Sequence, residues 1–235
     1  MFTVNRYFNP YREVGSVEID ALVFDVLGTL VDEPAGIRAG IREVVPDADA
    51  DGLLKLWQDH VEREQQRIVE GGRPYVASDV LDHEAAQLVA AACDREPGEF
   101  ATAGRRLPAW PDTVAGLARL AERFPLIGLS NAGRASLLRI NAHAGLRWHQ
   151  ALSAEDARTY KPDPAVYELA VKVSGTSPER LLMVAAHAWD LRGAQAAGLR
   201  TAYLSRPVGD PPSPSDRFDL HAGDLADLAD RLGRS

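Results

Sequence analysis

Apolar positions along this chain follow two different periods. Ala21-Leu22-Val23-Phe24 is an unbroken apolar run that ends at Asp25 and a Gly28-Thr29 turn, as in a strand covered on both faces. Leu126-Ile127-Gly128-Leu129, Leu181 to Ala186 and Thr201 to Leu204 repeat that texture, and Ala151-Leu152-Ser153 is a short further candidate. Between these runs the spacing becomes helical. Val114, Leu117, Leu120 and Phe124 form a stripe behind Asp112, and another helix begins near Arg134. Val166, Leu169, Ala170 and Val173 form a stripe behind Asp163-Pro164, with Gly175 placed to cap its end. A helix from Leu191 to Ala197 stops at Gly198. Pro207 to Pro214 reads as a surface loop, and Leu225, Leu228, Ala229 and Leu232 as a terminal helix.

One stretch interrupts this alternation. From about Ala35 to Leu107 no strand-like run occurs. Leu54, Trp57, Val61 and Ile68 share one helix face, Gly71-Gly72-Arg73-Pro74 breaks the chain, and Val80, Leu81, Leu88 and Val89 mark a second helix. Phe100 to Leu107 is expected to form a third. The pattern predicts an α/β fold, a doubly wound parallel sheet built from residues 1–33 and 109–235. Residues 34–108 are expected to be an all-helical cap inserted after the first strand, over the carboxyl edge of the sheet.

Composition then narrows the function. The chain has 235 residues, a formal net charge of −8 and one cysteine, Cys93. This disfavours broad binding to nucleic acid or an anionic membrane, and leaves no intramolecular disulfide or Cys-rich metal site. No apolar run approaches a membrane span. Residues 1–20 lack the apolar core of a secretory signal, so the expected location is cytoplasmic, with an N-terminal extension packed on the core or frayed. Asp47-Ala48-Asp49-Ala50-Asp51-Gly52 imitates the start of a calcium loop, but the twelfth position is Gln58, so it reads as a solvated acidic loop. The histidines have no metal-ligand spacing, and no metal is expected.

Three of the strands end in polar residues: Asp25 with Thr29, Ser130 with Asn131, and His187 with Asp190, while Lys161 precedes a helix. Parallel strands bring their carboxyl ends to one edge, so these groups converge. The Asp25 carboxylate is then a candidate nucleophile, Lys161 the group that keeps it ionised, and the hydroxyl and amide donors a site for an anionic substrate. Several of these residues have plainer readings as well. Asp25 suits a turn cap, His187 is as readily a structural histidine as a base, Tyr167 packs with a hydroxyl handle, and Trp57 and Trp189 are more often core.

Asp25-Val26-Leu27-Gly28-Thr29-Leu30-Val31, Leu129-Ser130-Asn131, Tyr160-Lys161-Pro162-Asp163-Pro164-Ala165-Val166-Tyr167 and Val184-Ala185-Ala186-His187-Ala188-Trp189-Asp190 resemble, in order, the four motifs of the haloacid dehalogenase superfamily. Within it the chain is most similar to the type II 2-haloacid dehalogenases. Superfamily phosphatases carry an aspartate at the position of Leu27 to protonate a departing alkoxide and use further acids to hold Mg²⁺. Leucine cannot do either, whereas a halide leaves without a proton. The resemblance implies a hydrolase without a cofactor, acting on a small carboxylic acid. Asp25 would displace halide from C2 to form an ester, which water then opens at the aspartyl carbonyl. It also implies that Thr29, Ser130 and Asn131 contact the substrate carboxylate or orient Asp25. Lys161 would pair with Asp25, Tyr167 would support it, and Asp190 would hold Lys161 or help activate water. Leu27 and His187 would line the substrate site. Dehalogenases of this type carry an arginine after the tryptophan of the lid helix; here Trp57 is followed by Gln58, with Arg38, Arg42 and Arg63 as alternative cations. The alternatives are another activated carboxylic acid, a phosphatase, and a non-catalytic binding protein. A homodimer stays an open option.

Overall fold

The computed structural model describes residues 18–233; of the N-terminal extension expected within residues 1–20, residues 1–17 lie outside them. Strands β1 (Ala21–Phe24), β2 (Leu126–Ser130), β3 (Gln150–Ser153), β4 (Leu181–Ala185), β5 (Arg200–Leu204) and β6 (Leu220–Ala222) form one parallel sheet, ordered β3-β2-β1-β4-β5-β6. Phe24 at the end of β1 is in register with Gly128 and Val184. The order reverses beside β1, which puts a crevice outside the carboxyl ends of β1 and β4.

Alternation along the strands divides the core into two layers. Leu22, Phe24, Leu182 and Val184 point to one face, and Ala21, Val23, Met183 and Ala185 to the other, all of them buried. The first layer meets α4 (Thr113–Ala121), α5 (Arg134–Ala144) and α8 (Leu225–Leu232) through Leu117, Leu120, Ile140 and Leu228. The second meets α6 (Pro164–Ser174) and α7 (Ala188–Ala196) through Val166, Tyr167, Ala170, Leu191 and Ala194. Each leucine, valine, isoleucine, methionine or phenylalanine among them contributes roughly 1.5–3 kcal/mol on burial, which fixes the strand register. The short edge strand β6 was not legible, because Leu-His-Ala carries no alternation to read.

Between β1 and β2 the chain forms α1 (Glu33–Val44), α2 (Ala50–Val69) and α3 (Ser78–Cys93), then two 3₁₀ turns, Pro97–Phe100 and Ala103–Arg105. Asp32 caps α1 by accepting from the Ala35 amide, and Pro34 occupies its first turn. Asp49 caps α2 through the Gly52 amide, and Asp51 pairs with Arg38, so the calcium-like run is a helix start. The third helix expected over Phe100 to Leu107 does not form. Thr102 and Gly104 favour neither turn continuing, and Phe100 and Leu107 serve as separate buried anchors. Ile37, Trp57 and Ala86 of this insert join the core layer of Leu22 and Phe24. Its neck is narrow: Val31 bridges Ala109, and the Asp32 amide donates to Pro108 O at 2.8 Å.

Some expected stripes are rotated. Val80, Leu88, Val114 and Val173 are exposed. In α6 the buried face is centred towards Tyr167, whose hydroxyl is needed inside, and Val173 is carried outwards. Asp112 does not cap α4; its carboxylate receives Arg206 and the Leu225 amide. Among the described residues no helix is long and apolar enough to cross a membrane.

Candidate active site

β1 ends by sending one carboxylate into the crevice. The Asp25 amide still donates to Val184 O at 3.0 Å, so its backbone remains in the sheet while the side chain leaves it. Lys161 Nζ donates to Asp25 Oδ1 at 3.0 Å and to Asp190 Oδ2 at 2.8 Å. Thr29 Oγ1 donates to Asp25 Oδ2 at 2.7 Å and accepts from the Ala186 amide at 2.9 Å. Tyr167 OH donates to Asp190 Oδ1 at 2.7 Å. The Lys161 and Asp190 side chains are 1% and 0% exposed and that of Asp25 9%, so the carboxylate of Asp25 is the member of the set open to a substrate.

Electrostatics explain why the set persists. Burial works against the Lys161 ammonium, but Asp190 and Asp25 outweigh it and hold the pKa above the ordinary value. Burial also raises the Asp190 carboxyl against the pull of Lys161, with the Asp25 charge adding to the rise. Burial and the neighbouring Asp190 push the Tyr167 phenol upward, so it stays a proton donor. One cation thus sits between two carboxyl groups, of which Asp25 is the more exposed.

The remaining expected residues fall around this network. Asn131 Oδ1 accepts the Lys161 amide at 2.9 Å, and its Nδ2 donates to Gln65 Oε1 of α2 at 3.0 Å, tying the insert to the site. The Ser130 hydroxyl is buried and accepts from the Ala132 amide, holding the turn after β2. His187 Nε2 lies 3.2 Å from Leu27 O and 4.0 Å from Asp25 Oδ2. A carbonyl oxygen can only accept, so Nε2 is placed there to donate. His187 also covers Gly28, whose φ is +75° and whose added Cβ would lie 2.6 Å from Nε2. Leu27 is half-buried at this turn. Gln58 is half-buried on α2, two turns before Gln65 and on its face, with no contact to the Asp25 network. Arg38 is paired with Asp51, Arg63 lies beside His60 and Glu64, and Arg42 is exposed, so none of the alternative cations joins the network. Trp57 is core, whereas Trp189 is exposed.

Two acids escaped the sequence. Burial pushes Glu33 up to about 8, with Asp82 and Asp25 adding to the rise. Burial likewise pushes Asp82 up to about 7, with Asp79 adding and a hydrogen bond from Trp57 opposing. Glu33 looks in sequence like any acid in the first turn of a helix, and only tertiary packing buries it and brings Asp82 of α3 near. A cavity of about 280 Å³ between insert and core is lined by Trp57, Asp82, Arg105 and Ser136. Among the described residues no group of three or more His, Cys, Asp or Glu side chains is placed to hold a metal ion.

Known proteins resemble this chain in sequence and fold. A model of haloacid dehalogenase-like hydrolases matches residues 19–198. An (S)-2-haloacid dehalogenase of Pseudomonas putida is 30% identical over 200 residues, covering 81% of this chain and 86% of that protein. A crystal structure of an L-2-haloacid dehalogenase superposes with a TM-score of 0.84 at 31% identity, covering 92% of this chain and 100% of the other. The L-2-haloacid dehalogenase of Xanthobacter autotrophicus, with chloropropionic acid covalently bound, gives 0.80 at 25% identity over 92% and 99% of the two chains. With the family model matched over residues 19–198 and a relative 30% identical over 81% of its length, the chain belongs to the haloacid dehalogenase-like hydrolases.

Proposed function

We propose that the chain is a 2-haloacid dehalogenase working through an ester on Asp25. The observation that carries this reading is the buried Asp25–Lys161–Asp190 set with Leu27, two residues after the nucleophile, in place of a proton donor. Asp25 attacks C2 of the substrate from the side opposite the halogen, forming a carbon–oxygen bond as halide leaves with the bonding electrons. Lys161 and Thr29 hold the two carboxylate oxygens and fix the direction of attack, which is the entropic part of the catalysis. Alkylation removes the negative charge of Asp25, leaving Lys161 balanced by Asp190. Water then adds to the aspartyl carbonyl carbon, and Lys161 and Thr29 stand within reach of the oxygen on which charge develops. Collapse returns the Asp25 carboxylate and expels the C2 oxygen as an alkoxide, which takes one proton of the water to give the 2-hydroxy acid while the other passes to solvent.

Relatives named as (S)-2-haloacid dehalogenases support the substrate class. Gln58 in place of a cation supports a second, narrower reading in which the same ester forms from another activated small carboxylic acid. The test is halide release from 2-halopropionates and haloacetates, with a single turnover in ¹⁸O water followed by peptide mass spectrometry. Halide release with label on the Asp25 peptide, both lost in Asp25→Asn, is the expected result. Label without halide would favour the second reading, and no label with any substrate would overturn both.

A further inference from the structure

The loop after β5 reads in sequence as proline-rich surface, yet the structure ties it to both catalytic turns. Arg206 is 6% exposed, and its Nε donates to Thr29 O at 2.8 Å while Nη1 donates to Asp112 Oδ1 at 2.8 Å. Its guanidinium lies 5.7 Å from the Trp110 ring centre, and Trp110 Nε1 in turn donates to Gly28 O at 3.0 Å. Consecutive carbonyls of the nucleophile turn are therefore held from behind by two side chains that make no contact with Asp25 itself.

Four residues later the same loop grips the other turn. The Asp210 amide donates to Ala186 O at 3.2 Å, Asp210 O accepts from the Ala188 amide at 2.8 Å, and Asp210 Oδ2 accepts from the Trp189 amide at 3.0 Å. Gly209 makes the approach possible. Its φ is +121°, and a Cβ there would stand 2.6 Å from Ala186 O. The hydrogen bonds close a ring: Arg206 donates to the Thr29 carbonyl, the Ala186 amide to the Thr29 hydroxyl, the Asp210 amide to the Ala186 carbonyl, and the chain leads back to Arg206. Thr29, the donor to Asp25 Oδ2, is held at both ends by this ring.

We propose that Arg206–Asp210 is a positioning brace, with Arg206 and Gly209 as its key residues, that sets the Asp25 turn against the Asp190 turn and so aims the nucleophile. The brace deepens the dehalogenase reading and rests on it only for its kinetic consequence. A misplacement of about 1 Å at a reacting group costs on the order of 100-fold in rate. Arg206→Gln is expected to lower kcat by ten- to a hundred-fold with KM changed less than about threefold. Arg206→Lys, which keeps the charge but not the fork, is expected to recover part of the loss.

A readout independent of turnover separates the two ideas. Hydrogen–deuterium exchange is expected to speed up in the peptides spanning residues 25–31 and 186–191 together, by about tenfold, in both Arg206→Gln and Gly209→Ala. Gly209→Ala keeps every polar partner and carries the same measurements should Arg206→Gln fail to fold. Normal kcat with unchanged exchange at residues 186–191, whatever the change in melting temperature, would overturn the brace. A parent enzyme inert on every haloacid would overturn the function while the exchange data still decided the brace.

Discussion

At the scale of single residues, charge and burial set the behaviour of the site. Lys161 is a buried cation that neutralises two carboxylates, and taking it away leaves both without a partner. Breaking such a buried pair typically costs about 3–5 kcal/mol, so Lys161→Met is expected to lose that much stability in urea titration together with all turnover. Glu33 titrates with the opposite sign to a salt-bridged acid. Its folded pKa of about 8 lies above the unfolded carboxyl value, so the folded state holds a proton that the unfolded state has released. Stability therefore falls as pH rises from the unfolded value through about 8 and is level beyond it. Glu33→Gln is expected to flatten that fall: its melting temperature should exceed the parent's at pH 8 and match it near pH 4. A parallel shift at both pH values would mean that Glu33 acts by packing and not by its proton.

At the scale of elements, the insert is held by polar contacts as much as by its apolar stripes. The Gly71-Gly72-Arg73-Pro74 breaker does more than end α2. Arg73 turns back to Glu64 Oε2 of α2 at 2.7 Å and Glu84 Oε1 of α3 at 2.6 Å, and His60 Nε2 meets Glu84 Oε2 at 3.0 Å. The Glu64 side chain is only 8% exposed, and the Arg73 bonds hold its carboxyl below the ordinary range. Arg73→Ala leaves Glu64 with Arg67 alone among its close bonded partners and is expected to cost about 2–4 kcal/mol, read from chemical denaturation. The effect should reach activity only through the position of α2, where Gln65 meets Asn131. Much of this level was legible in the chain: the Asp163-Pro164 start and Gly175 end of α6 stand where capping rules put them. The rotated stripe of α6 was not, because Tyr167 faces inwards for Asp190 rather than for apolar contact alone.

At the scale of the whole molecule, the crevice exists only where the insert meets the sheet edge. Ser78 Oγ accepts the Gly133 amide at 2.6 Å, Ser136 Oγ donates to Asp79 Oδ1 at 2.7 Å, and Tyr160 OH donates to Val76 O at 2.7 Å across that seam. Gln58 faces the same side of α2 as Gln65, so a cation introduced there adds attraction for an anionic substrate without touching the Asp25 network. Gln58→Arg is expected to lower KM for 2-halopropionates by about three- to tenfold, with kcat moving less. A KM that rose instead would show that this chain recognises its substrate through neutral donors.

The sequence by itself determined the class of fold, the residue proposed as nucleophile and the chemistry that Leu27 disfavours. Those properties are local: runs of apolar residues define strands and helices, and a parallel sheet collects its strand ends at one edge. Tertiary structure alone decided what stands next to what. It turned His187 towards the Leu27 carbonyl, raised Glu33 by burial near Asp82 and Asp25, and made a proline-rich loop the partner of both the Asp25 and the Asp190 turns. Each of these depends on long-range packing and on the dielectric it creates, and neither is written in the spacing of residues along a strand or helix.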